Sequence, residues 1–393
     1  MSNKRLFSPS LLAMALASIS ATSMAEEASS LADVFVGGDV DLSLRYRYEF
    51  VDQDGPKEGR ASTLKTRLTY KTKDYHGLSG VLEFDNNTVV GEDRYNDLSG
   101  NPSRTQYAVI ADPTYTEINQ AYVNYAAPAD TTLRFGRQRI NLDNQRFVGG
   151  VAWRNNEQTY DGFTLINKSL PDTTITLSNI YNINTITQND IDGENHQLLH
   201  LANKSIALAN VSVYGYLLED INDTFGVRLT GKTKAGDVGL SYELEYAMQE
   251  GDGAADYDAD YFHGVLGASV AGITAKLGYE VLGSDDGKAG FQTNLGTKHK
   301  FNGWADKFLG TPAAGLEDLY LTVSTKLVGP KIAVTYHQFD ANEGGANYGD
   351  EIDLVVAQGF AKHYKALVKV AAYNADDHAT DTTKVWLQLA ANF

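Results

Sequence analysis

Two groups of basic residues carry the chemistry this chain could do. Arg45, Arg47, Lys65 and Arg67 form the first; Arg137, Arg139, Arg146 and Arg154 form the second. Arginine stays charged across the physiological range, and its planar fork pairs with carboxylates. In a water-filled passage such contacts are screened, so an anion is attracted without being trapped. Glu83 and Asp161, with Asp85 and Glu157, are acids placed to pair with these cations. Each arginine therefore has two readings: it braces a wall through an ion pair, or it touches a permeant anion. The candidate constriction comprises Arg45, Arg47, Lys65, Arg67, Arg137, Arg139, Arg146, Arg154, Glu83 and Asp161.

Nothing in the chain points to catalysis. There is no G-x-S-x-G elbow and no phosphate-binding glycine loop. Ser269 and His263 share a strand parity, but no motif marks them as a hydrolase pair. The 8 histidines lack zinc spacing. Asp252, Asp256, Asp258 and Asp260 lack the calcium-hand spacing and read as a solvated loop. No metal or cofactor is expected, because a solute's own gradient drives a passive channel. The sequence pI of 4.8 argues against nucleic acid as a partner.

The elements that would hold these cations are strands. Val40, Leu42, Leu44, Tyr46, Tyr48 and Phe50 alternate with Asp41, Ser43, Arg45, Arg47 and Glu49. Leu64, Leu68 and Tyr70 oppose Lys65, Arg67 and Lys71; Leu82 and Phe84 oppose Glu83 and Asp85. The same period recurs over 238–249, 273–281 and 318–324, and in weaker form near 117–126, 131–140, 159–168, 173–182, 195–202, 205–218, 223–232, 257–270, 330–340, 350–361 and 364–374. At the carboxy terminus, Val385, Leu387, Leu389, Ala391 and Phe393 share one face and Lys384, Gln388 and Asn392 the other. A closing strand with a terminal aromatic suits an outer-membrane barrel.

One face of these strands is apolar and the other charged. A lipid-facing Arg or Lys near the bilayer midplane costs roughly 2–4 kcal/mol, so the charges must point inward. A dry core cannot hold them all; a wet lumen can. The predicted fold is all-β: a transmembrane antiparallel β-barrel of about 16–18 strands with a polar, water-filled lumen. Tyrosine (23 residues) and glycine (36) are abundant and proline (8) is scarce, as many strands with tight turns require. Cysteine is absent, which excludes disulfides. Long polar loops are expected near 86–116, 250–256, 284–315 and 340–349. Strict alternation breaks at Arg137 and Arg139, which share parity with Leu133 and Phe135, so a bend or bulge is needed there. Most Tyr, Trp and Phe residues are expected in the membrane girdle, with Trp304, in a loop, as the candidate for stacking on a sugar.

Residues 1–25 read as a secretory signal peptide: Lys4 and Arg5, a modest apolar run from Leu11 to Ala21, then Ser23-Met24-Ala25. Residues 26–393 would form the barrel, in the bacterial outer membrane, with lipid and lipopolysaccharide around it.

Three blocks extend the reading. Arg134 to Ile140, Asn144 to Gly149 and Trp153 to Gly162 together resemble the signature block of the alginate-export porin family. Phe301 to Asp306 with Gly315 to Tyr320 resembles a second block, and Gly349 to Leu354 a third. The resemblance implies an outer-membrane barrel with an Arg/Lys-rich, anion-attracting constriction. Its best-known member passes the acidic polysaccharide alginate, whereas this chain is shorter. Two functions are thus open: a channel for anionic solutes such as uronate saccharides, or a dedicated exopolysaccharide exporter with periplasmic secretion partners. A barrel hydrolase is the third and weakest.

Overall fold

The computed structural model describes residues 30–252, 256–326 and 329–393; the signal-peptide reading of residues 1–25 lies outside them. A single short helix, α1 (Leu31–Val36), precedes the first strand. The strands are β1 (Asp39–Gln53), β2 (Gly59–Lys71), β3 (Leu78–Arg94), β4 (Tyr115–Ala127), β5 (Thr131–Gln138), β6 (Thr159–Asn167) and β7 (Thr173–Asn184). They continue as β8 (Asp190–Asn203), β9 (Asn210–Leu218), β10 (Asn222–Ala235), β11 (Val238–Gly251), β12 (Asp258–Val270) and β13 (Ile273–Leu282). After a two-residue hairpin of β14 (Ser284–Asp285) and β15 (Ala289–Gly290) come β16 (Leu316–Lys326), β17 (Lys331–Asp340), β18 (Asn347–Phe360), β19 (Tyr364–Ala375) and β20 (Thr382–Asn392).

All but β14 and β15 form one 18-stranded sheet. Each strand pairs antiparallel with its chain neighbour, and β1 also pairs with β20. Leu44 faces Ala391 and Phe50 faces Val385 across this seam, so the sheet closes and no edge is left open.

The period-2 pattern sets the two surfaces. Val123, Phe135, Phe225, Leu244, Met248, Leu266, Leu277, Leu321 and Leu387 lie exposed on the outer wall. Arg47, Glu49, Lys65, Asp85, Glu245, Glu280, Asp318, Lys369 and Lys384 lie buried on the inner one. In a bilayer the outer row meets acyl chains, and the inner charges pair or meet water. Short turns at 72–77, 128–130 and 168–172 mark one end, and long loops at 95–114, 139–158 and 283–315 mark the other. Short turns are periplasmic in such barrels, which places the long loops outside the cell.

β3 runs to Arg94, so the loop expected from residue 86 starts at 95. Asn86, Asn87 and Thr88 are polar whichever way they point, and that hides the period. β9 starts at Asn210 rather than near 205.

Two long loops fold into the lumen. Loop 139–158 brings Ile140, Leu142, Phe147 and Val148 into a cluster with Tyr214, Tyr216, Tyr261, Phe291 and Leu295. Phe147 packs edge-on against Tyr261 at 5.1 Å between ring centroids. Loop 283–315 joins it: the Gly149 N–H donates to the Leu295 carbonyl at 2.9 Å, and the Thr297 N–H to that of Gln145 at 2.9 Å. Burying this apolar surface offsets the ordering of two long segments. The turn at Gly303 needs glycine: its φ is +80°, and a Cβ there would lie 2.4 Å from Glu351 Oε2.

Candidate functional site: the braced constriction and the vestibule beneath it

Loop 139–158 is held across the lumen by charge as well as by apolar packing. Arg154, buried at its centre, donates to Glu49 on β1 at 3.1 Å and to Asp306 of loop 283–315 at 3.3 Å. Asp112 stands 3.7 Å from it. Burial alone would lower the Arg154 pKa, but Glu49, Asp112 and Asp306 outweigh it and hold the guanidinium charged. Arg45 donates to the carbonyls of Ala152 (3.0 Å) and Arg154 (2.7 Å) and to Asn155 Oδ1 (2.9 Å). Arg45 therefore clamps loop backbone. Arg47 donates to Gln388 at 2.9 Å and lies 3.6 Å from Asp112, with its guanidinium 4.2 Å above the Trp153 ring.

A second knot ties the loop's two ends to β2 and β3. Lys65 meets Asp85 at 2.9 Å, and Arg67 makes a two-pronged contact with the same carboxylate at 2.7 Å. Arg67 also reaches Glu157 at 2.9 Å. Arg139 leaves the end of β5 and bonds Glu83 at 3.0 Å and Glu157 at 2.6 Å. Burial penalises the Glu157 carboxylate, yet Lys65, Arg67 and Arg139 pull its pKa down to about 2. Arg146 pairs with Glu280 at 2.8 Å and Asn302 at 2.8 Å, fixing the loop to the opposite wall.

Arg137 lies elsewhere. It sits opposite Ala121 and Asp161 in register, in the outward row of Phe135 and Val123. Its two-pronged pair with Asp161 (2.8 and 2.9 Å) is completed by Asn182 and Asn184. The break in alternation is thus resolved: the strand ends at Gln138, Arg139 turns inward, and Arg137 and Asp161 stay on the outer side. These two were expected to line the passage and do not face it.

Several central residues escaped the sequence reading. The three tryptophans, Trp153, Trp304 and Trp386, surround the Lys369 ammonium at 4.2, 3.6 and 5.3 Å. The girdle expectation, from which Trp304 was excepted, fails for Trp153 and Trp386: Trp386 alternates inward with Lys384, a parity visible in the sequence. His299 stacks on Trp153 with 4.6 Å between centroids. Its Nδ1 lies 2.6 Å from Asp306 and its Nε2 2.7 Å from Lys369 Nζ. Burial, with Lys369 and Arg154 nearby, pushes the His299 pKa well below its usual range despite Asp306. Asp306, also paired to Lys384 at 2.8 Å, stays ionised for the converse reason: His299, Lys384 and Arg154 overcome its burial. Ser269 and His263 are not a hydrolytic pair: Ser269 Oγ contacts the Gly239 carbonyl at 3.4 Å, and His263 contacts the Tyr320 hydroxyl at 2.9 Å.

Beneath the infolded loop, towards the short-turn end, opens a cavity of about 500 Å³. Thr69, Lys71, Glu83, Tyr122, Arg134 and Arg139 are among its lining residues. Arg134 differs both from the luminal arginines held by carboxylates and from Arg45, whose fork is committed to loop 139–158. Its Nε donates to Asn124 at 2.8 Å, its guanidinium lies 4.3 Å above the Tyr122 ring, and it makes no ion pair among the described residues. Alternation with Leu133 and Phe135 could have singled it out.

A closed barrel with a lipid-compatible exterior and a charged interior narrowed by infolded loops has the plan of a porin. The comparisons agree. Residues 38–177 match the alginate export family. The fold superposes on OccK9 (OpdG) of Pseudomonas aeruginosa with a TM-score of 0.74 at 16% identity, covering 91% of this chain and 98% of that one. OpdK of the same species, solved with vanillate, gives 0.72 at 15% identity, with 90% and 98% covered. OccAB4 of Acinetobacter baumannii gives 0.72 at 15%, with 91% and 98% covered. The chain has the fold of the outer-membrane porins. The alginate-export likeness of this chain spans β1 to the first part of β7, which includes loop 139–158. Among curated proteins no sequence matches it.

Proposed function

We propose that this porin passes small anionic solutes, with carboxylates as the preferred class, and that Arg134 and Arg139 draw them into the vestibule. The carrying observation is Arg134: a luminal guanidinium on the wall of a 500 Å³ cavity with no ion pair among the described residues. Such a group has a free fork for a carboxylate, and Tyr122 beneath it suits an aromatic or sugar ring. Arg139 contributes less, because Glu83 and Glu157 already share its charge. OpdK was solved with vanillate, an aromatic carboxylate, which supports this solute class. Uronate saccharides carry the same group. The two infolded loops favour single solutes and short saccharides over a long polymer.

The test is channel block. Benzoate and oligouronates, added to single channels in a lipid bilayer, should reduce chloride current at millimolar concentrations. Neutral glucose should not. Equal block by glucose and benzoate would remove the anionic preference.

A further inference from the structure

We propose that Glu243, Glu245 and His263 form a binding site for one first-row divalent cation of the zinc type on the luminal wall. Glu243 and Glu245 are two apart on β11 and so share its inner face. His263 lies directly opposite Glu245 on β12. One ligand atom from each residue lies within 4.8 Å of the others. Around a zinc ion with bonds of roughly 2.0–2.2 Å, ligand atoms stand closer than this, so modest side-chain rotation closes the site.

Two of the donor atoms make no hydrogen bond. His263 Nδ1 makes no hydrogen bond, although the residue is only 4% exposed. Glu245 Oε2 makes none either, at 2% exposure. Buried polar atoms in that state are costly and call for an explanation. The remaining atoms of both side chains are committed in the way metal ligands usually are. His263 Nε2 lies 2.9 Å from the Tyr320 hydroxyl, and Tyr214 donates to Glu245 Oε1 at 2.9 Å. With Nε2–H donating to Tyr320, the Nδ1 lone pair is free and aimed at Glu243, 3.8 Å away. Glu243 is partly exposed and connects the site to luminal water.

Arg228 is the competitor. Its Nη2 contacts Glu243 at 2.8 Å and its Nε stands 3.5 Å from Glu245 Oε2. Asn144 also donates to Glu243, at 3.0 Å. Two carboxylates against one guanidinium leave a net charge of −1. A divalent ion turns this to +1 on the wall facing loop 139–158. The presence of Arg228 predicts modest affinity and a direction of change that mere loss of structure cannot mimic.

The experiment is Co²⁺ titration of the refolded, detergent-solubilised protein, followed by visible absorption and by Zn²⁺ displacement. One Co²⁺ per chain is expected, displaced by Zn²⁺. H263Q and E245Q should each weaken binding by more than the roughly 10-fold that loss of a mere outer-shell partner costs, while R228Q should tighten it several-fold. Heat-modifiable gel migration checks that each variant is a folded barrel. No saturable Co²⁺ binding by the wild type would overturn the proposal. So would a folded H263Q that binds as well as wild type, or an R228Q that binds no more tightly.

Discussion

Arg154 and Arg134 both point into the lumen, but their surroundings differ. Arg154 is buried against Glu49, Asp112 and Asp306, and its charge is spent on seating loop 139–158. Arg134 rests on an amide and a tyrosine ring in an open vestibule. The comparison shows that counting luminal cations says little about the field a solute meets. The partners decide. A cation ringed by carboxylates, or one clamped on loop backbone as Arg45 is, acts as a structural fastener, whereas one whose fork is left free is open to a passing anion.

The largest effect should come from breaking the fastener. R154Q leaves Glu49, Asp112 and Asp306 buried without their shared cation. Losing one partner of a buried pair costs about 3–5 kcal/mol. The expected result is a lower denaturation midpoint together with larger, noisier single-channel currents as loop 139–158 loosens. A quiet channel of wild-type conductance would show that the apolar cluster alone seats the loop.

Acid should act on the same region. His299 is held well below its usual value of 6.5, so below that pH the unfolded chain takes up a proton that the folded one refuses. Stability therefore starts to fall as pH drops through 6.5. Glu157, lowered from 4.5 to about 2, adds a second loss between those values, and Asp306 acts in the same direction. H299Q should flatten the upper part of the profile and leave the decline below about pH 4.5 intact. Thermal midpoints measured across this range check it, and an unchanged slope in H299Q would mean that other groups carry the acid sensitivity.

How much of this was legible in the sequence follows from the range of the forces involved. Alternation is local, so β1, β2, β11 and β20 were readable, with the correct faces. β3 was cut short because Asn86-Asn87-Thr88 suits either face. The wall cations were visible as a class, but their partners were not. Arg154 finds Glu49 105 residues away and Asp306 152 residues away, and only the infolding of two loops brings them together. Charge alone places Arg137 in the lumen, whereas its parity with Phe135 places it outside. Here parity was the better guide, since Asp161, Asn182 and Asn184 supply a polar nest on the outer side. The same rule, applied to Arg134, would have found the vestibule arginine directly.

An inner-row arginine whose fork is left free should set selectivity, while a paired one on the outer row should not. The direct test is the reversal potential under a KCl gradient in a lipid bilayer, for wild type, R134Q and R137Q. Neither Arg134, half-buried, nor the outward Arg137 anchors an infolded loop, so both variants should fold. A chloride preference is expected in the wild type, with a clear shift towards the cation in R134Q and a wild-type value in R137Q. An R134Q channel indistinguishable from wild type, or an R137Q channel shifted as far, would contradict it.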